Sequence, residues 1–272
     1  MKVISFQNQK GGVGKSTLSI LLADQLSDHG KSVVFLDNDP QANSTRFFFR
    51  RMVSESKENG KYLDSLLSRI DKFNLGSLLE KTIANEFPDI NDYLIEVPHT
   101  SIRFIPVNES YADIARKIAN DPGNANIFRF VLQDITADIM IIDSPGEISH
   151  ITQWGMSVAN SIVIPVTTEM FSSETVRVQL DRIKKEQTLN QNINLKESFV
   201  IPNKHNPNHV VNKKGMTFLI QTFKDILIFD GDKEEPLYIP DRQDVARYID
   251  DGGRLKNNEI KEVLVKLMNH LV

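Results

Sequence analysis

Short, continuously apolar runs alternate along this chain with stretches whose apolar residues recur every three or four positions. Val3-Ile4-Ser5-Phe6, Ser32 to Leu36, Asp138 to Ile142, Val158 to Val166 and Phe199 to Lys204 are short runs of the first kind. Such runs fit strands buried on both faces, as in a parallel sheet covered by helices. Ser101 to Pro106 alternates instead, as a half-covered strand does. Pro165 has to sit near the end of its strand, because proline donates nothing to a ladder.

Between the runs the spacing changes to that of helices. Leu18 to Ala23 opens one, which Gly30 is placed to stop after about His29. Leu63, Leu66, Leu67 and Ile70 form a second set, and Leu75, Leu78, Leu79, Thr82 and Ile83 a third. Tyr111 to Ile118, Ile127 to Ile135 and Ser172 to Ile183 read as further helices, with a break at Asp121-Pro122-Gly123-Asn124. Ile260, Val263, Leu264, Leu267, Met268 and Leu271 lie on one face of a C-terminal helix. Strands alternating with helices predict an α/β fold: a doubly wound, mainly parallel, twisted sheet with helices on both faces. Residues 1–272 are expected as one domain, with a helical segment at about 46–100 that has neither the length nor the linkers of a domain of its own.

Composition adds mostly exclusions. With 272 residues, 40% hydrophobic and 25% charged, the chain can build a full core. It has no cysteine, which excludes disulfides, thiolate metal sites and cysteine-held iron–sulfur clusters. No signal peptide and no spanning apolar run is visible, so a cytoplasmic location is expected. A net charge of −4 confines any nucleic-acid contact to a local patch.

The first chemical signal is Gln7-Asn8-Gln9-Lys10-Gly11-Gly12-Val13-Gly14-Lys15-Ser16-Thr17, between the first strand and the first helix. Strand, glycine-rich turn and helix form the setting of a phosphate-binding loop. Glycines let the backbone approach an anion, and the N–H groups of Gly12, Val13, Gly14 and Lys15 would face phosphate oxygens at a helix N-terminus. Lys15 would neutralise the β and γ phosphates, and the Ser16 hydroxyl would ligate Mg²⁺. The frame departs from G-x-x-x-x-G-K-[ST] in having its first glycine displaced towards Gly11, with Lys10 as an additional lysine.

Two acidic strand ends follow. Asp37-Asn38-Asp39-Pro40 closes the second apolar run, at the sheet edge where α/β proteins bind ligands. Asp39 would orient a water or hold a magnesium-bound one, although the tetrapeptide is also good turn chemistry. Asp143 closes the run from Asp138, where a carboxylate reaches Mg²⁺ directly or through water.

Lys10 to Thr17, with Asp37 to Asn43 and Asp143-Ser144-Pro145, resembles the deviant Walker A ATPases of the ParA/MinD superfamily, and the short, Soj-like ParA branch in particular. The resemblance implies that Lys10 reaches the phosphates of a second subunit across an ATP-sandwich dimer, and that Asp39 helps activate the hydrolytic water. It implies ATP and Mg²⁺ as cofactors, bound by Gly11 to Thr17 and, for the metal, by Ser16, Asp39 and Asp143. Lys10, Lys15, Asp39 and Asp143 would then be the catalytic set. Asn203 stands where the family recognises adenine, with a capping role as the alternative. Pro240 stands in the family's Ile-Pro-Arg segment, which Asp241 interrupts here. The box begins ten residues in, which aligns the chain with family members that carry no N-terminal helix-turn-helix.

The remaining signals have two readings each. Arg46-Phe47-Phe48-Phe49-Arg50-Arg51 is either a helix with two buried phenylalanines and solvated arginines, or part of a dimer seam. Met170 and Phe171 are either core or interface. Lys204, Lys213, Lys214, Arg242 and Arg247 are either a DNA-facing patch or solvated and ion-paired side chains. Arg254 shares that choice, with Asp244, Asp250 and Asp251 as ion-pair partners. His205 and His209 read as a solvated loop or cap rather than a metal site, since Pro207 lies between them.

By resemblance the chain is a plasmid or chromosome partition ATPase. It would bind DNA non-specifically as an ATP-bound homodimer on the nucleoid, and a ParB-like centromere-binding partner would stimulate hydrolysis. The alternatives are a MinD-like membrane-cycling regulator and a ParA-like ATPase positioning another cargo. The last helix sets Lys261 and Lys266 against Glu259 and Glu262 and is expected to pack on the body, so no stable membrane association is expected.

Overall fold

The computed structural model describes residues 1–56, 61–120, 126–147, 149–168, 172–188, 192–231 and 233–272. Its centre is a seven-stranded sheet in the order β3-β4-β2-β5-β1-β6-β7. The strands are β1 (Lys2–Phe6), β2 (Val33–Asp37), β3 (Ile95–Glu96), β4 (Ile102–Ile105), β5 (Ile139–Asp143), β6 (Ser161–Thr167) and β7 (Glu197–Asn203). All neighbours pair in parallel except β3, which runs antiparallel to β4 at one edge. That two-residue edge strand has no counterpart in the periodicity of the sequence.

Alternation along the strands separates two covered faces. Ile4, Phe6, Val33, Phe35, Ile139 and Ile141 point to one core, and Val3, Val34, Leu36, Met140 and Ile142 to the other. The first face carries α1 (Lys15–Asp28), α2 (Asn43–Glu55), α3 (Lys61–Lys72), α10 (Gln243–Asp251) and α11 (Asn258–Leu271). The opposite face carries α4 (Leu75–Ile83), α5 (Tyr111–Ala119), α6 (Ile127–Leu132) and α7 (His150–Val158). A third core lies between β6, β7, α8 (Ser172–Thr188) and α9 (Val210–Phe223). This is the doubly wound α/β sheet expected from the sequence. The helices of residues 46–100 divide between the two faces, α2 and α3 on one and α4 on the other.

Helix ends follow local chemistry. Gly30 takes φ +74°, its N–H reaches Ser27 O, and the Lys31 N–H reaches Leu26 O, which closes α1. Asn74 caps α4 in a capping box with Ser77. The apolar face of α11 (Ile260, Leu264, Leu267, Met268, Leu271) is buried, and this helix packs on α1.

Several expectations need correction. Val158 ends α7 rather than opening a strand, and β6 starts at Ser161. Pro165 falls inside β6, but the pairing of β6 with β1 has already ended at Val163, so no ladder bond to β1 is lost there. The helix from Ile127 stops at Leu132, short of Ile135. In α2, Phe47 and Phe48 are buried as expected, but Arg51 is not solvated: it is 1% exposed and pairs with Asp24. Met170, Phe171 and the break at residues 121–124 lie outside the described residues.

Candidate functional site

The loop between β1 and α1 bends through two positive φ angles, +75° at Gly12 and +88° at Gly14. Both lie in the left-handed region that a Cβ disfavours. Asn8 fixes the approach: its Nδ2 donates to Pro165 O and its Oδ1 accepts the Lys10 N–H. No side chain caps α1 at Gly14. The N-cap residue therefore leaves the first-turn N–H groups of α1 without a side-chain acceptor at the positive end of the helix, a setting that suits an anion.

Gly11, Gly12, Gly14, Lys15, Ser16 and Thr17 line a cavity of about 390 Å³, a size ordinary for small ligands. Its other walls come from Asp39 and Gln41 after β2, Asn43 and Arg50 on α2, Gly146 after β5, and Ile20 and Ile249. Lys15 is nearly buried and passes close to Gly146, where an added methyl would lie 3.1 Å from Nζ. Burial lowers the Lys15 pKa, against the attraction of Asp143 and Asp39.

Two carboxylates act on this lysine, and a third, Asp37, lies beside Asp143; their partners distinguish them. Asp143 is fully buried; its Oδ2 accepts Ser44 Oγ at 2.6 Å, and Ser16 also donates to the carboxylate. Asp143 Oδ1 is buried with no hydrogen-bond partner among the described residues. Burial pushes the Asp143 pKa up to about 6. Asp37 sits opposite Asp143 in the β2–β5 register. Its oxygens accept Thr45 N–H, Thr45 Oγ1 and Asp39 N–H, but burial, reinforced by Asp143, still pushes its pKa up to about 8. Asp39 lines the cavity and its Oδ1 accepts the Gln41 N–H; burial raises its pKa, opposed by that bond and by Lys15.

Asp37 gives the nucleotide-free protein a pH dependence. A carboxyl whose folded pKa exceeds its unfolded value of about 4 keeps its proton in the native state, so stability is lost as pH rises towards 8. His205, lowered by burial, acts with the opposite sign, but only below about pH 6.5. Lys15, lowered by burial, acts with the opposite sign on the alkaline side. The melting temperature is therefore expected to fall from pH 6.5 to pH 8, above the range of His205 and up to the Asp37 value, and to fall less in Asp37→Asn. Thermal melts at fixed ionic strength test this; a flat or rising wild-type profile refutes it.

The other expected site residues separate. Lys10, partly exposed, stays on the loop. Asn203, at the end of β7, is buried against the loop, with Nδ2 on Val13 O at 2.8 Å and Oδ1 accepting the Lys204 N–H. Pro240 is buried beside β7 through backbone bonds: Ile239 N–H to Pro202 O, His205 N–H to Ile239 O and Asp241 N–H to His205 O. Neither residue lines the cavity. Of the five residues offered to DNA, Lys204 instead puts Nζ on Gly12 O at 3.0 Å. Arg242 pairs with Glu259 rather than with Asp244, Asp250 or Asp251. Lys213 and Lys214 are exposed on α9, and Arg247 is exposed on α10. Arg254 donates to His99 O. His205 is not solvated: it is buried, hydrogen-bonded to Thr168 Oγ1, and its ring meets Tyr238 edge-on. No cluster of metal-binding side chains occurs among the described residues.

The sequence reading noted Asp37 beside the site without giving it a role, took Arg50 as solvated or part of a dimer seam, and passed over Ser44, Thr45 and Ile249. Asp37 carried a signal, since it ends its strand as Asp143 does. The hydroxyls of Ser44 and Thr45 acquire meaning only when the turn after β2 brings α2 over the two acids.

Comparison with known proteins agrees with this geometry. The family model of the AAA domain matches residues 1–196. An uncharacterized protein of Mycobacterium tuberculosis is 24% identical over 84% of this chain, and the match spans 66% of that relative's own length. The chromosome-partitioning ATPase Soj of Thermus thermophilus is 29% identical over 64% of this chain and 57% of its own. Among solved structures, a plasmid partition protein of Borrelia burgdorferi bound to AMPPNP superposes with a TM-score of 0.74 at 21% identity, covering 100% of this chain and 99% of that one. With the glycine loop, Lys15 and Asp39 lining one cavity and the buried Asp143 carboxylate acting on Lys15, the chain belongs to the AAA-domain family and to the Soj-like side of the ParA/MinD superfamily of P-loop NTPases.

Proposed function

We propose that this protein is an ATP-hydrolysing partition ATPase that switches between nucleotide states and binds DNA as an ATP-bound dimer. The observation that carries the reading is a cavity lined by Lys15 and Asp39 at the uncapped start of α1, with the buried Asp143 carboxylate acting on Lys15. A triphosphate would lie along the loop, with Lys15 and the first-turn N–H groups opposing its charge. Asp39 would orient the attacking water in line with the leaving oxygen.

The residues fit a divalent cation. Asp143 keeps one buried oxygen without a partner among the described residues, on a carboxylate that also accepts from Ser16. Ser16 and Asp143 would hold magnesium, which when bound supplies Lewis-acid stabilisation of phosphate charge. Lys10 would complete the site of a second copy, and a ParB-like partner would accelerate turnover. Lys213, Lys214 and Arg247, all exposed, remain the cations available to a DNA backbone. A membrane-cycling role is disfavoured because the apolar face of α11 is already packed.

One sedimentation series tests the reading. With ATP and Mg²⁺, the protein is expected to pellet with random-sequence DNA and not with anionic liposomes; capture by liposomes alone refutes it. Lys10→Ala is expected to keep nucleotide binding and lose most hydrolysis. Unchanged turnover of that variant removes Lys10 from the chemistry.

A further inference from the structure

Two neighbouring side chains at the end of β7 grip two neighbouring carbonyls of the phosphate loop. Asn203 Nδ2 donates to Val13 O at 2.8 Å and Lys204 Nζ donates to Gly12 O at 3.0 Å. The approach is close: a Cβ at Gly14 would stand 2.1 Å from Asn203 Nδ2. Lys204 reaches the loop from a left-handed backbone at φ +53°, a conformation a lysine holds only when its surroundings impose it.

The surroundings are stiff. β7 pairs with β6 through Thr167 and Asn203, His205 is hydrogen-bonded to Thr168, and the backbone of residues 239–241 is stitched to residues 202–205. Gly215 on α9 lets that helix close on Thr168, where a Cβ would sit 1.8 Å from the carbonyl oxygen. The grip is thus held from strand, helix and following segment at once. A loop of three glycines in four residues has high backbone entropy unless something fixes it.

We propose that Asn203 and Lys204 form a clip that pre-orders the phosphate loop, and that Lys204 is a positioning residue of the nucleotide site rather than a DNA contact. This rests on the nucleotide-binding reading above. The clip acts on the backbone that receives phosphate oxygens, so it serves any polyphosphate, with or without a base. The Lys204 ammonium turns Gly12 O away from the anion and brings a positive charge beside the loop.

The test compares Mg²⁺·ADP with inorganic tripolyphosphate, by calorimetric titration of wild type, Lys204→Ala, Lys204→Gly and Lys204→Arg. Lys204→Ala is expected to weaken both ligands by the same factor, about tenfold for one charge-assisted hydrogen bond. Lys204→Gly relieves the backbone but lacks the ammonium, and is expected to lose as much. Lys204→Arg is expected to recover most of the affinity. Amide exchange at residues 12–14 of the nucleotide-free protein is expected to speed up several-fold in the alanine variant. If wild type binds neither ligand, the nucleotide reading itself fails. If wild type binds and Lys204→Ala matches it for both, the clip is overturned. A loss for ADP alone overturns it as well, because that result makes Lys204 a base contact. Loss of DNA capture with phosphate affinity intact returns Lys204 to the DNA surface.

Discussion

Arg51→Ala is expected to destabilise the protein by about 3–5 kcal/mol, the cost of leaving one member of a buried ion pair alone. Arg51 makes a two-pronged bond to Asp24, with NH1 and NH2 each 2.6 Å from a carboxylate oxygen. Its Nε and NH2 also donate to Gly252 O and Gly253 O, and Tyr248 donates to the same carboxylate. The guanidinium stands 4.6 Å from the centre of the Phe47 ring. Burial alone would lower the Arg51 pKa, but Asp24 and Tyr248 outweigh it and raise it. The guanidinium thus ties α1, α2 and the end of α10 together at one point.

Truncation would strand the Asp24 carboxylate and two carbonyls, and open a void beside Phe47. Urea unfolding measures the loss; a change below 1 kcal/mol refutes the account. An apolar replacement of all three polar partners, Arg51→Met with Asp24→Leu and Tyr248→Phe, is expected to recover much of it, because no charge is then stranded. The neighbouring Arg50 and Ile249 line the cavity beside the glycine loop, so under the proposed function the single variant is also expected to weaken nucleotide binding.

The sequence showed what depends on local order. β1, the glycine loop and the start of α1 are contiguous, so their chemistry could be read together, and Asp143 announced itself at the end of an apolar run. Arg51 could not be read that way. Asp24 lies 27 residues earlier, and the pair exists only because α1 and α2 cover the same face. Between Asp143 and β6 the sequence hid α7, whose Gly155 sits mid-helix where propensity is poor. The structure supplies the reason: a Cβ at Gly155 would lie 2.8 Å from Ser144 Oγ and 3.1 Å from Ser5 Oγ. That close approach of a helix to the segment after Asp143 is a tertiary requirement. The same holds for Lys204 and His205, whose sequence reads as a polar loop until β7 places one on the phosphate loop and the other in the core.

Asp39→Ala is expected to slow hydrolysis by about 10²–10⁴-fold while leaving nucleotide affinity within a few-fold of wild type. The three acids at the ends of β2 and β5 would have different duties, and their hydrogen bonds sort them. Asp37 is fully engaged by Thr45 and the Asp39 N–H, so it shapes the turn after β2. Asp143 is buried between Ser44 and Ser16, with one oxygen left for a cation. Only Asp39 both faces the cavity and has an oxygen with no partner among the described residues, since the Gln41 N–H takes just Oδ1. Its carboxylate can therefore meet a water at the far end of the phosphate chain without displacing any protein contact. In the proposed reading Lys15 and the loop would hold the ground state and are untouched by the substitution, so binding is expected to survive and the barrier to rise. Asp143→Asn is expected instead to weaken magnesium-dependent binding as well as turnover. Single-turnover hydrolysis, with affinity measured separately by a non-hydrolysable analogue, separates the two. Equal losses of affinity and rate in Asp39→Ala would move Asp39 from the chemical step to the metal.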